Sequence, residues 1–381
     1  MTLEQMTYFD DPTRAGLRDT LAAWRRSYPA GGVMAILPEA QRDALPLVQA
    51  ACRAESLPLA GAIFPALLVN DEFRSTGVLL ARFDEMPFTA LIPCPTGEEA
   101  TAKAIADVIQ PHLGSERSTT LFMVFDAMVP NIASILERLY LQLADRVHYL
   151  GVNAGSESFK PMPCLFDDTR MIEHGVLVAL LKAHRGGVLE HGYIAPETMV
   201  SATSTDHNRI IEIDWRPAFE VYTSVMRTQY GVEINRENFY QHAVHFPFGI
   251  MRANGEILVR IPVALQDDGS LFCVGEVPPN AILTLLSAPA VDSIHTIDTL
   301  VKGLTAAYGP MVGRQILTFY CAGRRLHIGE QATNELRQLL HRSGANGIFG
   351  ALSLGEIGSS VHGGYPLFHN GTLVCSPWTG R

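Results

Sequence analysis

The chain has no C-x-x-C pair; its six cysteines, Cys52, Cys94, Cys164, Cys273, Cys321 and Cys375, are scattered. That spacing argues against a structural zinc site, and without C-x-x-C-H there is no covalently attached haem. In a reducing compartment such thiols are expected to serve as small buried hydrophobes. Long apolar runs are also missing. The nearest, residues 281–291, is broken by Thr284, Ser287 and Pro289, whereas a membrane span needs roughly 18 or more apolar residues. The segment from Met1 to Pro12 carries acids and no apolar core, so a secretory signal is not expected and the cytoplasm is. Positive charge is short: 29 Lys and Arg stand against 39 Asp and Glu, a net charge of −10. That balance speaks against a nucleic-acid partner. G-x-S-x-G, H-E-x-x-H, the Walker A loop and G-x-G-x-x-G are all absent, which removes the commonest hydrolase and nucleotide-binding readings.

What is present suits a large core. Of 381 residues, 47% are hydrophobic and 18% charged, enough for two domains or one large one. Apolar runs at Val33–Leu37, Leu59–Ile63 and Gly77–Phe83 read as strands, with a helix over Leu45–Ala54. The order recurs: strand at Leu121–Phe125, helix over Asn131–Ala144, strands at Val147–Val152 and Val176–Leu181. Leu121 and Val147 follow Val33 and Leu59 at the same offset, which suggests a duplicated strand–helix–strand–strand unit. Ile132, Ile135, Leu136, Leu139 and Leu143 form one apolar helical stripe. A third unit is expected at Ile316–Tyr320, Ala332–His341, Ile348–Leu354 and Leu373–Ser376. Between the second and third lie a helix (Phe219, Tyr222, Met226), a hairpin pairing Ile257–Leu265 with Leu271–Val277 around Asp267-Asp268-Gly269, and a helix through Ile297 and Leu304. The fold class expected is α/β, with repeated units forming mixed sheets covered by helices. The expected divisions are an N-terminal helical segment (residues 1–30) and two domains (31–185 and 186–381).

Polar clusters close three apolar strands near the C-terminus: Cys321-Ala322-Gly323-Arg324, Gly355-Glu356-Ile357 and His369-Asn370-Gly371-Thr372. Strand ends are where open α/β sheets bind ligands. Glu356 could pair a ligand amine, or accept backbone amides in its turn. Arg324 could clamp a carboxylate, or form a salt bridge with Glu356 or Glu330. His369, Asn370 and Thr372 could fix a polar ligand or simply cap the corner. Cys321, His369 and Glu356 also supply the residue types of a thiol nucleophile, base and orienter.

These segments carry a resemblance. Together with Ile211-Glu212-Ile213-Asp214-Trp215-Arg216-Pro217 and Phe246-Pro247-Phe248-Gly249, the chain resembles FIST proteins (F-box and intracellular signal transduction) from about Gly31 to Val374. The resemblance implies a sensory module that binds a small ligand between its FIST N-like and FIST C-like halves, amino acids being one class. It also implies regulation of a signalling partner in trans, such as a histidine kinase. Stand-alone members of this length look like haem-based nitric-oxide sensors. Haem b would then need an axial histidine in an apolar cleft. His191, in His191-Gly192-Tyr193, is the first candidate and His245, before Phe246-Pro247-Phe248, the second. Trp215 departs from the glycine of the family's Asp-Gly-x-Pro turn, implying either a turn without positive φ or a reshaped pocket. Three functions therefore compete: a sensor, with or without haem, a cysteine-dependent enzyme using Cys321, and an interaction module with no ligand.

Overall fold

The computed structural model describes residues 5–13, 15–114, 118–253, 255–290, 294–359 and 364–378. The outer ends of the expected segments, 1–4 and 379–381, lie outside it. The expected repeat forms three times. In the first unit, Gly32–Pro38 runs parallel to Leu59–Phe64 through the helix Leu45–Ala54, and antiparallel to Val78–Phe83. The second unit repeats this with Thr119–Asp126, helix Ile132–Leu143, His148–Ala154 and Gly175–Lys182. The third uses Gln315–Cys321, helix Ala332–Ser343, Gly347–Ser353 and Leu373–Pro377. A second helix precedes each unit: Ala15–Ser27, Glu98–Ile109 and His295–Tyr308. The helix of the expected N-terminal segment thus occupies a repeated position, burying Leu17, Leu21 and Trp24 in the first unit's core.

Period-2 alternation sorts the side chains between two cores. In the second unit Phe122 and Val124 join a central cluster shared by all three sheets. Their neighbours Leu121, Met123 and Phe125 pack outward under Glu98–Ile109 and Ile132–Leu143. The third unit does the same: Leu317 and Phe319 face the centre, Ile316 and Tyr320 the helices.

Each unit also sends out a hairpin between its second and third strands, and none of the three hairpins stays in its own sheet. The hairpin Leu67–Val69/Glu72–Arg74 leaves the first unit and pairs with Gly347–Ser353 of the third. Glu356–Gly358/Leu367–His369 leaves the third and pairs with His148–Ala154 of the second. Leu165–Asp167/Met171–Ile172 leaves the second and pairs with Leu59–Phe64 of the first. The exchange is cyclic, so N-terminal and C-terminal sheets are interlocked by backbone hydrogen bonds.

The segment between the second and third units builds all eight strands of an eight-stranded sheet. Here one expectation is corrected. The strand Ile257–Leu265 is broken at Ile261-Pro262, because proline offers no N–H to continue the ladder. Ile257–Arg260 pairs with Phe248–Met251, and only Pro262–Leu265 forms the hairpin with Leu271–Cys273. Trp215 is also corrected: its φ is +57°, so the turn keeps the left-handed conformation a glycine would favour. The indole is 80% exposed and lines neither of the large cavities, so no pocket is reshaped by it.

Candidate ligand-binding site

A cleft opens where the parallel strands of the second and third units end. It has two chambers, of about 810 and 450 Å³, sharing Phe159, Val263, Val274 and Leu354 as a common wall. The larger is bounded by Ala127–Ile132 and Asn153 at strand ends of the second unit, and by Phe272, Cys273 and Glu276 from the sheet opposite. Glu276 is spent on structure, accepting the Ala133 and Ser134 amides at 3.1 and 3.0 Å and so capping the helix Ile132–Leu143. The smaller is bounded by Cys321, Ala322 and Asn370 of the third unit, by Tyr240 and His245, and by Glu157.

Of the residues singled out by sequence, Cys321 and Asn370 reach the smaller chamber. Asn370 is 1% exposed; its Nδ2 donates to the His369 carbonyl at 3.1 Å, which fixes the amide orientation, and its Oδ1 has no partner among the described residues. An unpaired buried acceptor costs about 1–3 kcal/mol. Asn153, on the wall of the larger chamber, also carries an unpaired Oδ1.

Behind Cys321 lies Glu356, fully buried. Ser353 Oγ and Thr372 Oγ1 each donate to its carboxylate at 2.5 Å, and the Cys321 thiol also bonds to it. Burial raises its pKa to about 7, although the three donors pull the other way. Thr372 is therefore a positioning group for Glu356 and not a wall of the chamber. The Cys321 sulfur accepts the Gly371 amide at 3.1 Å, and burial pushes its thiol up to about 12.

Three expectations meet a different arrangement. Arg324 is turned inward: it lies 1% exposed and binds Glu335 bidentately at 2.6 and 2.9 Å, a partner different from both carboxylates expected. Its remaining donors hold the His191 and Gly371 carbonyls at 2.6 and 3.2 Å. The Cys321–His369–Glu356 nucleophile set is not assembled either. Neither ring nitrogen of His369 has a partner among the described residues, and the Cys321 thiol is held protonated. Finally, His191 lines neither chamber and its Nδ1 accepts the Tyr193 amide at 2.9 Å.

His245 is placed differently. His327 Nε2 lies 3.0 Å from the Pro289 carbonyl, so it must be the protonated nitrogen there. Its Nδ1 is then an acceptor, and His245 Nδ1 donates to it at 2.5 Å. The relay leaves His245 Nε2 as a bare lone pair with no hydrogen-bond partner among the described residues. Burial and the neighbouring His327 both lower the His245 pKa, keeping the ring neutral. His327 is a functional neighbour that the sequence reading missed, since 82 residues separate it from its partner.

The linkage at Glu356 gives a pH test. Its folded pKa, about 7, lies above the ordinary 4.5. The folded state thus holds the proton more tightly, and this contribution to stability is complete below pH 4.5 and lost as pH rises through 7. Glu356→Gln removes it. The stability of wild type relative to Glu356→Gln should fall by on the order of 2–3 kcal/mol between pH 4.5 and 8. Urea denaturation across that range checks it; a difference that does not vary with pH contradicts the assignment.

The family comparison matches the geometry. A FIST N domain model matches residues 34–216, and a FIST C domain model matches residues 218–359. The chain belongs to the FIST family. FIST domains are sensory domains of signal transduction, which supports a ligand-sensing role. No curated protein matches at significance. No helix among the described residues is long and apolar enough to cross a membrane.

Proposed function

We propose that this FIST protein senses a small ligand held in the cleft between its FIST N and FIST C regions. The observation that carries the reading is Asn370, a buried amide with an unpaired acceptor on the wall of a 450 Å³ chamber lined from both regions. Asn370 directly follows Leu367–His369, the strand of the exchanged hairpin. A displacement there is passed through Glu356–Gly358 to His148–Ala154 in the FIST N sheet. Output then passes to a separate signalling protein, a histidine kinase being the partner class the family suggests. The ligand biases two states only by binding one of them more tightly. A cytoplasmic setting agrees with six cysteines that are all free and buried.

A second reading has one observation in its favour. Haem b fits an axial role at His245 and not at His191, since the relay through His327 presents a neutral Nε2 beside an apolar chamber. Bound there, haem would supply an iron able to take a diatomic gas such as nitric oxide. No lysine or arginine lines that chamber among the described residues, so the propionates would be left to solvent.

One preparation tests both readings. Protein purified from haem-supplied cells is reduced and its visible spectrum recorded, then the same sample is screened by thermal shift against small metabolites. A stoichiometric Soret band that moves with nitric oxide and is lost in His245→Ala establishes the haem reading. A colourless protein stabilised by a metabolite, with the effect lost in Asn370→Leu, establishes the haem-independent one. A colourless protein that no small molecule stabilises overturns the sensor reading.

A further inference from the structure

The smaller chamber carries a bias in its polar groups that narrows the ligand class. Its buried wall offers acceptors. Asn370 Oδ1 is unpaired, with its orientation fixed by the bond from Nδ2 to the His369 carbonyl. His245 lines the same space and carries a lone pair on Nε2, fixed by the chain from Pro289 through His327. Glu157 adds a carboxylate to the lining. Directly behind Cys321 sits the Glu356 carboxyl, with Ser353 and Thr372 bound to it. No lysine or arginine is among the described lining residues. The Arg324 guanidinium, adjacent in sequence to the lining residue Gly323, is neutralised by Glu335 and faces two backbone carbonyls. Two aromatic rings, Phe159 and Tyr240, 45% and 55% exposed, join the apolar lining.

Such a chamber satisfies a donor on its buried wall, whereas an anion would meet only the neutral donors of Gln241 and Tyr240 and no cation among the described lining residues. An ammonium brings three N–H donors and no acceptor, can pair with unpaired oxygens and a lone pair, and is attracted to aromatic faces. A carboxylate entering the same space would be desolvated without a cationic partner and would face the Glu157 carboxylate, which disfavours it. An α-amino acid would bring both groups, and its carboxylate would cancel what its ammonium gains.

We propose that the smaller chamber is a site for organic amines with an apolar body and no carboxylate, selecting them over α-amino acids. This rests on the sensor reading above and names its ligand class. Asn370 Oδ1 and His245 Nε2 receive the ammonium hydrogens, Glu157 supplies charge, and Phe159, Tyr240, Val263 and Ile261 cover the body.

The test uses three probes with one phenyl body: phenethylamine (amine only), phenylalanine (both groups) and phenylpropionate (carboxylate only). Calorimetric titration of the full-length protein at pH 8 should show phenethylamine binding at least tenfold more tightly than phenylalanine, with no binding of phenylpropionate. Asn370→Leu should lose at least tenfold in amine affinity, and Asn370→Asp should gain several-fold, because it adds a charge. Circular dichroism confirms that each variant is folded. If Asn370→Leu fails to fold, Glu157→Gln serves instead, with an expected several-fold loss and a weaker dependence on salt. Phenylalanine or phenylpropionate binding as tightly as the amine, at a site sensitive to Asn370, overturns the amine assignment and leaves the sensor standing. A series of primary amines from butylamine to phenethylamine that all fail, while other metabolites stabilise the protein, does the same. Failure of the amines and of every metabolite overturns both.

Discussion

Arg324→Met should destabilise the protein by about 3–5 kcal/mol, read as the midpoint of urea denaturation. The guanidinium is 1% exposed and forms two bonds to Glu335, itself 7% exposed. Removing one partner strands a carboxylate whose only other side-chain donor among the described residues is the Tyr320 hydroxyl, at 2.6 Å. It also frees the His191 and Gly371 carbonyls, and so unties the chain entering the FIST C region from the corner that carries Asn370. Arg324→Met/Glu335→Met separates these effects. Replacing both charges with apolar groups of similar size removes the stranded carboxylate, so the double variant should recover more than half of the loss. A single variant as stable as wild type would mean that the pair is solvated in solution. A double variant no more stable than the single would mean that the backbone tethers, lost in both, and not the carboxylate, dominate.

The same arginine shows how far the site was legible in the sequence. Arg324 stands in the loop-forming pattern Cys321-Ala322-Gly323-Arg324, at the end of a strand correctly read, which is where ligands are met. Its partner, Glu335, lies on the following helix Ala332–Ser343, as a lone carboxylate in the buried stripe of Ala332, Leu336 and Leu339. Periodicity reports which face is apolar, not which charge is drawn beneath it. Asn370 and Cys321 were legible because strand ends alone placed them. His245 was visible only as one histidine among thirteen. What distinguishes it is His327, whose hydrogen bond fixes the tautomer across a wide gap in sequence.

The fold was legible to the extent that it is local. Strand–helix–strand order and the one-face stripe of Ile132–Leu143 follow from residue spacing, and all three units formed as read. The short exchanged hairpins did not show. Leu67–Val69 and Leu165–Asp167 are three residues each, too short for alternation to declare a strand. Their partners, moreover, belong to other units, and a repeat found in sequence says nothing of which sheet a hairpin joins. The helix Glu98–Ile109 was missed as well, being built on alanines that give a weak apolar stripe.

The exchange leaves a mark that a second large effect should expose. Where each hairpin crosses its host strand, a large apolar residue lies opposite a glycine: Phe166 opposite Gly61, Ile357 opposite Gly151 and Leu68 opposite Gly350. The glycines follow from close approach. A Cβ at Gly350 would stand 1.8 Å from the Thr318 carbonyl oxygen, and one at Gly61 would stand 2.2 Å from that of Ala35 and 2.4 Å from the Phe166 ring. At Gly151 the nearest atoms are farther, 2.7 Å to the Met123 carbonyl and 3.1 Å to Ile357. The closest obstacles are backbone atoms of the neighbouring parallel strand, which cannot turn aside as a side chain can. Alanine should therefore cost most at Gly350, next at Gly61 and least at Gly151. The first two should lose about 3 kcal/mol or more, at the upper end of overpacking effects. Limited proteolysis should cut the displaced hairpin first: residues 67–74 in Gly350→Ala and 165–172 in Gly61→Ala. Equal losses at the three sites, or cleavage elsewhere, would mean that the hairpins are not what ties the FIST N and FIST C sheets together. The expected order would instead show that the backbone of the neighbouring parallel strand sets what each crossing tolerates, most strictly at Gly350 and least at Gly151, where Glu356–Gly358 crosses into the FIST N sheet.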